Sequence, residues 1–262
     1  MAALSFRIAS AKKLKSMVSP VLFGFGLLLL WEVLCRGLAV SRFVIPQPSA
    51  VGVMLVKRWD VIWPNMITTL STTLLGLVIG IAIGYILGLA LGASSRFYKT
   101  VFPALVGINS IPKVALVPLI ILWTGLGVKP AIFTSIVIVI FPIATVVAAS
   151  VASTDPELRD VLRSLGASRL VALMKIAVPQ SLPFFLSSLK IAVSLAFIGT
   201  IVAESVAANR GLGYMMNRAA SDFDVELVFS GVAVLAAIGI ALYLVSVFLE
   251  RHAAAWAFRR SD

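Results

Sequence analysis

Six stretches of this chain are each long and apolar enough to cross a bilayer: about Val18–Val40, Asn65–Gly92, Val101–Gly125, Pro130–Ala152, Leu182–Ala208 and Leu227–Glu250. A hydrocarbon core asks for roughly 20 consecutive apolar residues of helix. Backbone N–H and C=O groups find no water there, so only helices and closed barrels can span it. Barrel strands run about 10 residues and alternate in polarity; these runs do neither. The chain is 60% hydrophobic and 13% charged with a mean hydropathy of +1.06, against about 25% charged residues in a soluble domain. The expected fold class is an all-α membrane protein with about six transmembrane helices. The apolar stretch Pro20–Leu34 follows a basic start, but no small-residue cleavage site closes it, so no cleavable leader is predicted.

The net charge of +11 invites a nucleic-acid reading, which its distribution opposes: the basic residues crowd the ends of apolar runs, where topology and anionic lipid account for them. With the N-terminus in the cytoplasm, thirteen basic residues fall inside (Arg7, Lys12, Lys13, Lys15, Arg96, Lys99, Arg159, Arg163, Arg169, Lys175, Arg251, Arg259, Arg260) and seven outside (Arg36, Arg42, Lys57, Arg58, Lys129, Arg210, Arg218). Both termini are therefore expected in the cytoplasm. The expected organisation is a cytoplasmic segment 1–17, a transmembrane domain 18–250 with a cytoplasmic loop 153–181, and a cytoplasmic tail 251–262. Ser41–Pro64 falls outside and lies flat or forms a short helix, since Pro46 and Pro48 oppose a continuous one. One cysteine, Cys35, and one histidine, His252, exclude a disulfide framework and leave no set of metal ligands.

The loop Asp155–Pro179 is the longest polar interruption. Asp155 can cap a helix, Pro156 suits its first turn, and Glu157 favours the positive end of the helix dipole. Leu158, Val161, Leu162 and Leu165 form an apolar stripe at helical spacing; Arg159, Asp160, Arg163 and Ser164 fill the other side. Gly166 can take the left-handed conformation that ends such a helix. A second amphipathic stretch, Ser168–Ala177, leads to Pro179. Such a helix either docks into a groove on another protein or rests on the bilayer surface. Elsewhere, Gly76, Gly80, Gly84, Gly88 and Gly92 recur every four residues along one side of the second run, a surface suited to close helix packing. The third run is interrupted by Pro112 and Pro118, either of which can kink or break it. Lys113 lies beside the first, either as a functional intramembrane cation or reaching to the interface.

These features together resemble the permease subunits of bacterial ABC importers, of the nitrate, sulfonate and taurine type. The loop resembles their EAA pattern (E-A-A, three residues, G, nine residues, I-x-L-P), which falls on Asp160, Val161 and Leu162, then Gly166, Ile176, Val178 and Pro179. The first three positions depart from it, with Val161 and Leu162 where alanines are usual. F-V-I-P-Q-P-S at Phe43–Ser49, I-P-K-V-A-L-V-P-L-I-I-L-W-T-G-L-G from Ile111, V-A-E at Val202–Glu204 and R-G-L-G-Y at Arg210–Tyr214 extend the resemblance over about Phe43 to Trp256.

The resemblance implies a type I importer permease (MetI-like) fold in the bacterial inner membrane, forming the pathway of an ATP-driven importer for a small solute, with Lys113 as a hint of an anionic one. It implies as partners a second permease copy, giving a homodimer, two cytoplasmic ATPase subunits, and a periplasmic or lipid-anchored substrate-binding protein. Glu157, Arg159, Asp160, Arg163, Ser164, Gly166, Ala167 and Ser168 would form the ATPase-coupling surface. No cofactor is expected on this chain: it lacks a G-x-x-x-x-G-K-[ST] loop, so ATP and Mg belong to the partner ATPases, and the chain is not itself an enzyme. Glu204, an acid near the outer end of an apolar run, leads the candidates for the pathway or a gate, unless it pairs with Arg210 or Lys190. Asn109, Ser110, Lys113, Trp123, Thr124, Thr72 and Ser194 could join it, as could Thr68. The competing reading is an ion-coupled secondary carrier, for which Glu32 and Glu204 are the available intramembrane acids. A membrane-embedded enzyme lacks a clustered acid–base or nucleophile set.

Overall fold

The computed structural model describes residues 22–253. The segment 1–17 with Arg7, Lys12, Lys13 and Lys15, the beginning of the first apolar run, and the tail beyond residue 253 with Arg259 and Arg260 lie outside the described residues, as do the side chains of Pro156, Arg159, Arg163 and Arg169. Among the described residues all regular structure is helical. Among the described residues four helices are long and apolar enough to cross a membrane, and a bent pair makes a fifth if it is counted as one span. The first run adds α1, described over residues 22–37.

The chain divides into two compact units. The first comprises residues 22–60 and 219–230. Here α2 (Pro48–Lys57) begins with proline in its first turn, where the missing N–H is no loss. The segment expected outside, Ser41–Pro64, thus holds a short helix, one of its two expected forms, followed at once by α3 (Trp59–Ala93). Pro64 lies inside α3, close enough to its start to forfeit only one intrahelical bond. Trp31 of α1 packs on Phe229, ring centroids 5.8 Å apart, and the Ser230 hydroxyl donates to the Val51 carbonyl at 3.3 Å.

The second unit holds residues 61–218 and 231–253. It contains most of α3, then α4 (Ser95–Ser110), α5 (Lys113–Thr124), α6 (Lys129–Ala152), α7 (Pro156–Ser164), α8 (Arg169–Ala172), α9 (Val178–Ala207), most of α10 (Leu212–Ser221) and the greater part of α11 (Val225–Ala253). The third apolar run is the bent pair: α4 and α5 meet at 95°. Ile111, preceding Pro112, is extended (φ −71°, ψ 128°), because the proline ring bars its neighbour from the helical region. Pro118, expected to kink or break the run, sits inside the continuous α5.

Val139, Ile143, Val147 and Val151 of α6 and Leu186, Leu189, Ala192, Val193 and Ala196 of α9 build the main core. The five glycines of α3 lie against α6. A β-carbon at Gly76 would stand 2.5 Å from Ser135 Cβ, one at Gly80 2.9 Å from Val139 Cβ, one at Gly88 2.7 Å from Val147 Cβ, and one at Gly92 2.5 Å from Val151 Cβ. At Gly84 the obstruction is the Ile140 carbonyl, 2.9 Å away. Only glycine permits so close an approach.

Beyond α7 the chain does not pause before its next span. A π turn, Leu173–Ala177, joins α8 to α9 directly, so that Leu170–Ala207 forms one apolar span. The π turn lies just ahead of Pro179, whose ring crowds the carbonyl four residues back and opens the helix locally.

Candidate functional site

The loop between α6 and α9 is built from local signals. The Asp155 carboxylate accepts from the Glu157 amide at 2.9 Å, capping α7. Gly166 adopts φ +79°, and the Ala167 amide reaches back to the Leu162 carbonyl at 2.9 Å, the six-to-one bond of a Schellman ending. Ser168 starts the next helix by accepting from the Val171 amide at 3.3 Å. Glu157, Asp160, Ser164, Gly166 and Ser168 are exposed, and Ala167 is half-buried. Most of the apolar stripe is uncovered too: Leu158, Val161 and Leu165 are exposed, Leu165 with 76% of its surface free, while Leu162 is half-buried. One helix thus presents polar and apolar faces to whatever lies beyond the chain.

The second constellation is buried. Glu204, near the end of α9, is 1% exposed. Its Oε2 accepts from the Thr69 hydroxyl at 2.8 Å and the Gly213 amide at 3.1 Å, and Oε1 from the Thr72 hydroxyl at 3.4 Å. Thr69 Oγ1 in turn accepts from the Leu212 amide at 2.8 Å, and Asn65 Oδ1 from the Gly211 amide at 2.7 Å. Three successive amides at the start of α10 each receive an oxygen from α3 or α9. Among the described residues no cation pairs with Glu204; the positive end of α10 and the convergent donors stabilise its carboxylate instead. Gly211 has φ +111°, and a β-carbon there would run into the Glu204 carboxylate. One at Gly213 would stand 2.5 Å from the Ile201 carbonyl oxygen. The two glycines of R-G-L-G-Y are thus the space in which the acid of V-A-E sits.

Of the pathway candidates, the structure brings Thr72 to Glu204 and gathers Asn109, Ser110 and Lys113 at the α4–α5 break. The Lys113 ammonium donates to the Asn109 carbonyl and, at 3.1 Å, to the Ile111 carbonyl; it closes the negative end of α4. Trp123 and Thr124 lie at the far end of α5, Trp123 with 74% of its surface exposed and Thr124 bonded to the Ile120 carbonyl at 2.9 Å. Ser194 is exposed on α9 and bonds the Lys190 carbonyl at 3.0 Å; Thr68 bonds back to Pro64 at 3.0 Å. Lys190 pairs with Glu250 at 2.8 Å, not with Glu204. Sequence reasoning missed Asn65 and Thr69. Their signal was available: Asn65, Thr69 and Thr72 recur at four- and three-residue spacing on one side of an apolar helix.

Residues 80–257 match the family profile described as "Binding-protein-dependent transport system inner membrane component". The chain is 29% identical to the formylaminopyrimidine transport permease protein ThiX of Halalkalibacterium halodurans, over 85% of this chain and 89% of that protein. It is 33% identical to the riboflavin transport system permease protein RibX of Chloroflexus aurantiacus, over 88% and 87%. Among solved structures, an inward-facing MetNI methionine ABC transporter chain superimposes with a TM-score of 0.67 at 19% identity, covering 75% of this chain and 97% of that one.

Proposed function

This chain belongs to the family of binding-protein-dependent transport system inner membrane components, and from that premise we propose that two copies of it form the pathway of an ATP-driven importer worked by cytoplasmic ATPase subunits through α7. The observation that carries this reading is the uncovered apolar stripe of α7, Leu158, Val161 and Leu165, on a helix closed at both ends by its own caps. A lone amphipathic helix with an open apolar face fits a groove on a partner. The caps let it move as one piece when the ATPases close. ATP hydrolysis belongs to those subunits, and both termini lie on their side of the membrane. A binding protein delivers the solute to the opposite face, and the bundle rocks between two openings.

For the solute we propose a small nitrogen heterocycle rather than an inorganic anion. Two relatives matching most of this chain are named for a formylaminopyrimidine and for riboflavin. Lys113, the cation best placed to hold an anion, directs its ammonium to the carbonyls of Asn109 and Ile111. An ion-coupled carrier is disfavoured because Glu204 is already committed to hydroxyls and amides of this chain.

The test is co-purification and transport with the cognate ATPase and binding protein in proteoliposomes. Gly166→Pro and Asp160→Arg should insert normally yet separate ATP hydrolysis from uptake. Wild-type coupling in both, or uptake with no ATPase present, would overturn the reading. Titrating the binding protein with a pyrimidine, riboflavin and nitrate tests the solute class.

A further inference from the structure

Two acids on different helices, Glu32 and Glu204, do the same thing. Glu32, on α1, accepts from the Ser49 amide at 3.0 Å through Oε2, and from the Ser49 hydroxyl at 2.8 Å and the Arg36 Nε at 2.7 Å through Oε1. Ser49 is the second residue of α2. Pro48 before it has no amide to offer, and the N-cap residue Gln47 makes no side-chain cap. The first free amide of α2 is therefore capped from another helix, 17 residues back in the chain. Glu204 does this for α10, with Thr69 and Asn65 taking the neighbouring amides. In each case a short helix on the outer side of the expected topology has borrowed its cap from a span.

We propose that Glu204 and Glu32 are positioning residues for transport: each fastens a short outer helix, α10 or α2, to a span, so that the helix travels with the span when the outer face opens and closes, and neither acid touches solute or a coupling ion. A carboxylate at a helix start is favoured by the dipole and by the orphan amides it satisfies. A carboxamide oxygen supplies the same acceptor without the charge. A group acting on solute or ion by its charge cannot be replaced in that way, whereas a cap can.

The transport part of this inference rests on the proposed function; the capping part does not, and the experiment keeps them apart. The full transporter with its ATPases is reconstituted with wild type, Glu204→Ala, Glu204→Gln, Glu32→Ala and Glu32→Gln. Hydrogen exchange is followed in peptides covering 209–215 and 47–53, alongside uptake kinetics. Each alanine variant should speed exchange in its own peptide by about tenfold, the cost of a lost cap, and leave the other peptide alone. Glu204→Ala should lower the maximal uptake rate with little change in KM, and each glutamine variant should restore both readouts. If Glu204→Ala does not assemble, Thr69→Val removes the middle acceptor and should give a smaller change of the same kind. Unchanged exchange in the alanine variants would overturn the capping. Glutamine variants that keep protection but fail in uptake like alanine would overturn the positioning role and point to the charge itself. If the wild-type complex moves no solute, the transport reading fails, and the exchange data still decide the capping.

Discussion

Helices α7 and α10 are nearly equal in length, nine and ten residues, and both must satisfy their ends, yet they do so in opposite ways. Every cap of α7 lies within a few residues of it: Asp155, Gly166 and the Ala167 amide. The caps of α10 come from Asn65, Thr69 and Glu204, up to 146 residues away in sequence. Local caps leave a helix whole when its surroundings change, which suits a part that must be pushed. Distant caps bind a helix to its surroundings, which suits a part that must be carried.

The sharpest break in this comparison uses the positive-φ glycines beside these two helices, Gly211 and Gly166. Gly211→Ala forces a side chain into a strained backbone, φ +111°, and into the Glu204 carboxylate. Strain and overpacking together should cost roughly 4 kcal/mol, measured as a large fall in Tm in detergent. Gly166→Ala meets nothing within 4 Å and should cost only about 1–2 kcal/mol of left-handed backbone strain, with Tm of the whole bundle little changed. Equal losses at the two positions would mean that α10 is no more embedded than α7. Asp155→Ala should give the smallest effect, about 1 kcal/mol. It should appear as faster amide exchange confined to the start of α7, and exchange spreading into α6 or α9 would contradict local capping.

The same division decides what could be read from the sequence. The spans follow from apolar length, and the ends of α7 from residues adjacent to them. Pro112 breaks the third span because its effect on Ile111 is local. Pro118 does not, because packing of Val117 and Ile121 against Ala131, Ala203 and Ala207 holds α5 together at the loss of one bond. The π turn that joins α8 to α9 hid a continuous span behind a proline that reads as a boundary. The partners of Lys113, carbonyls at a helix end, and of Glu204, one amide and two threonine hydroxyls, lie in places that composition does not reveal. Asn65 and Thr69 were overlooked because polar residues in an apolar helix bond to their own backbone by default, and only the fold shows that these serve a helix beyond residue 210.

The glycine seam between α3 and α6 repeats every four residues on both sides: Gly76 to Gly92 on one, Ser135, Val139, Ile143, Val147 and Val151 on the other. A surface that repeats carries no address. If α3 slid by four residues, about 6 Å, every glycine but one would meet an equivalent neighbour. The seam therefore fixes how near the two helices lie but not their alignment. That information enters through α9, where Glu204 holds Thr69 and the Ala207 carbonyl holds the Gly127 amide at 3.0 Å, two hooks a turn apart that set the register of a rail otherwise free to slip.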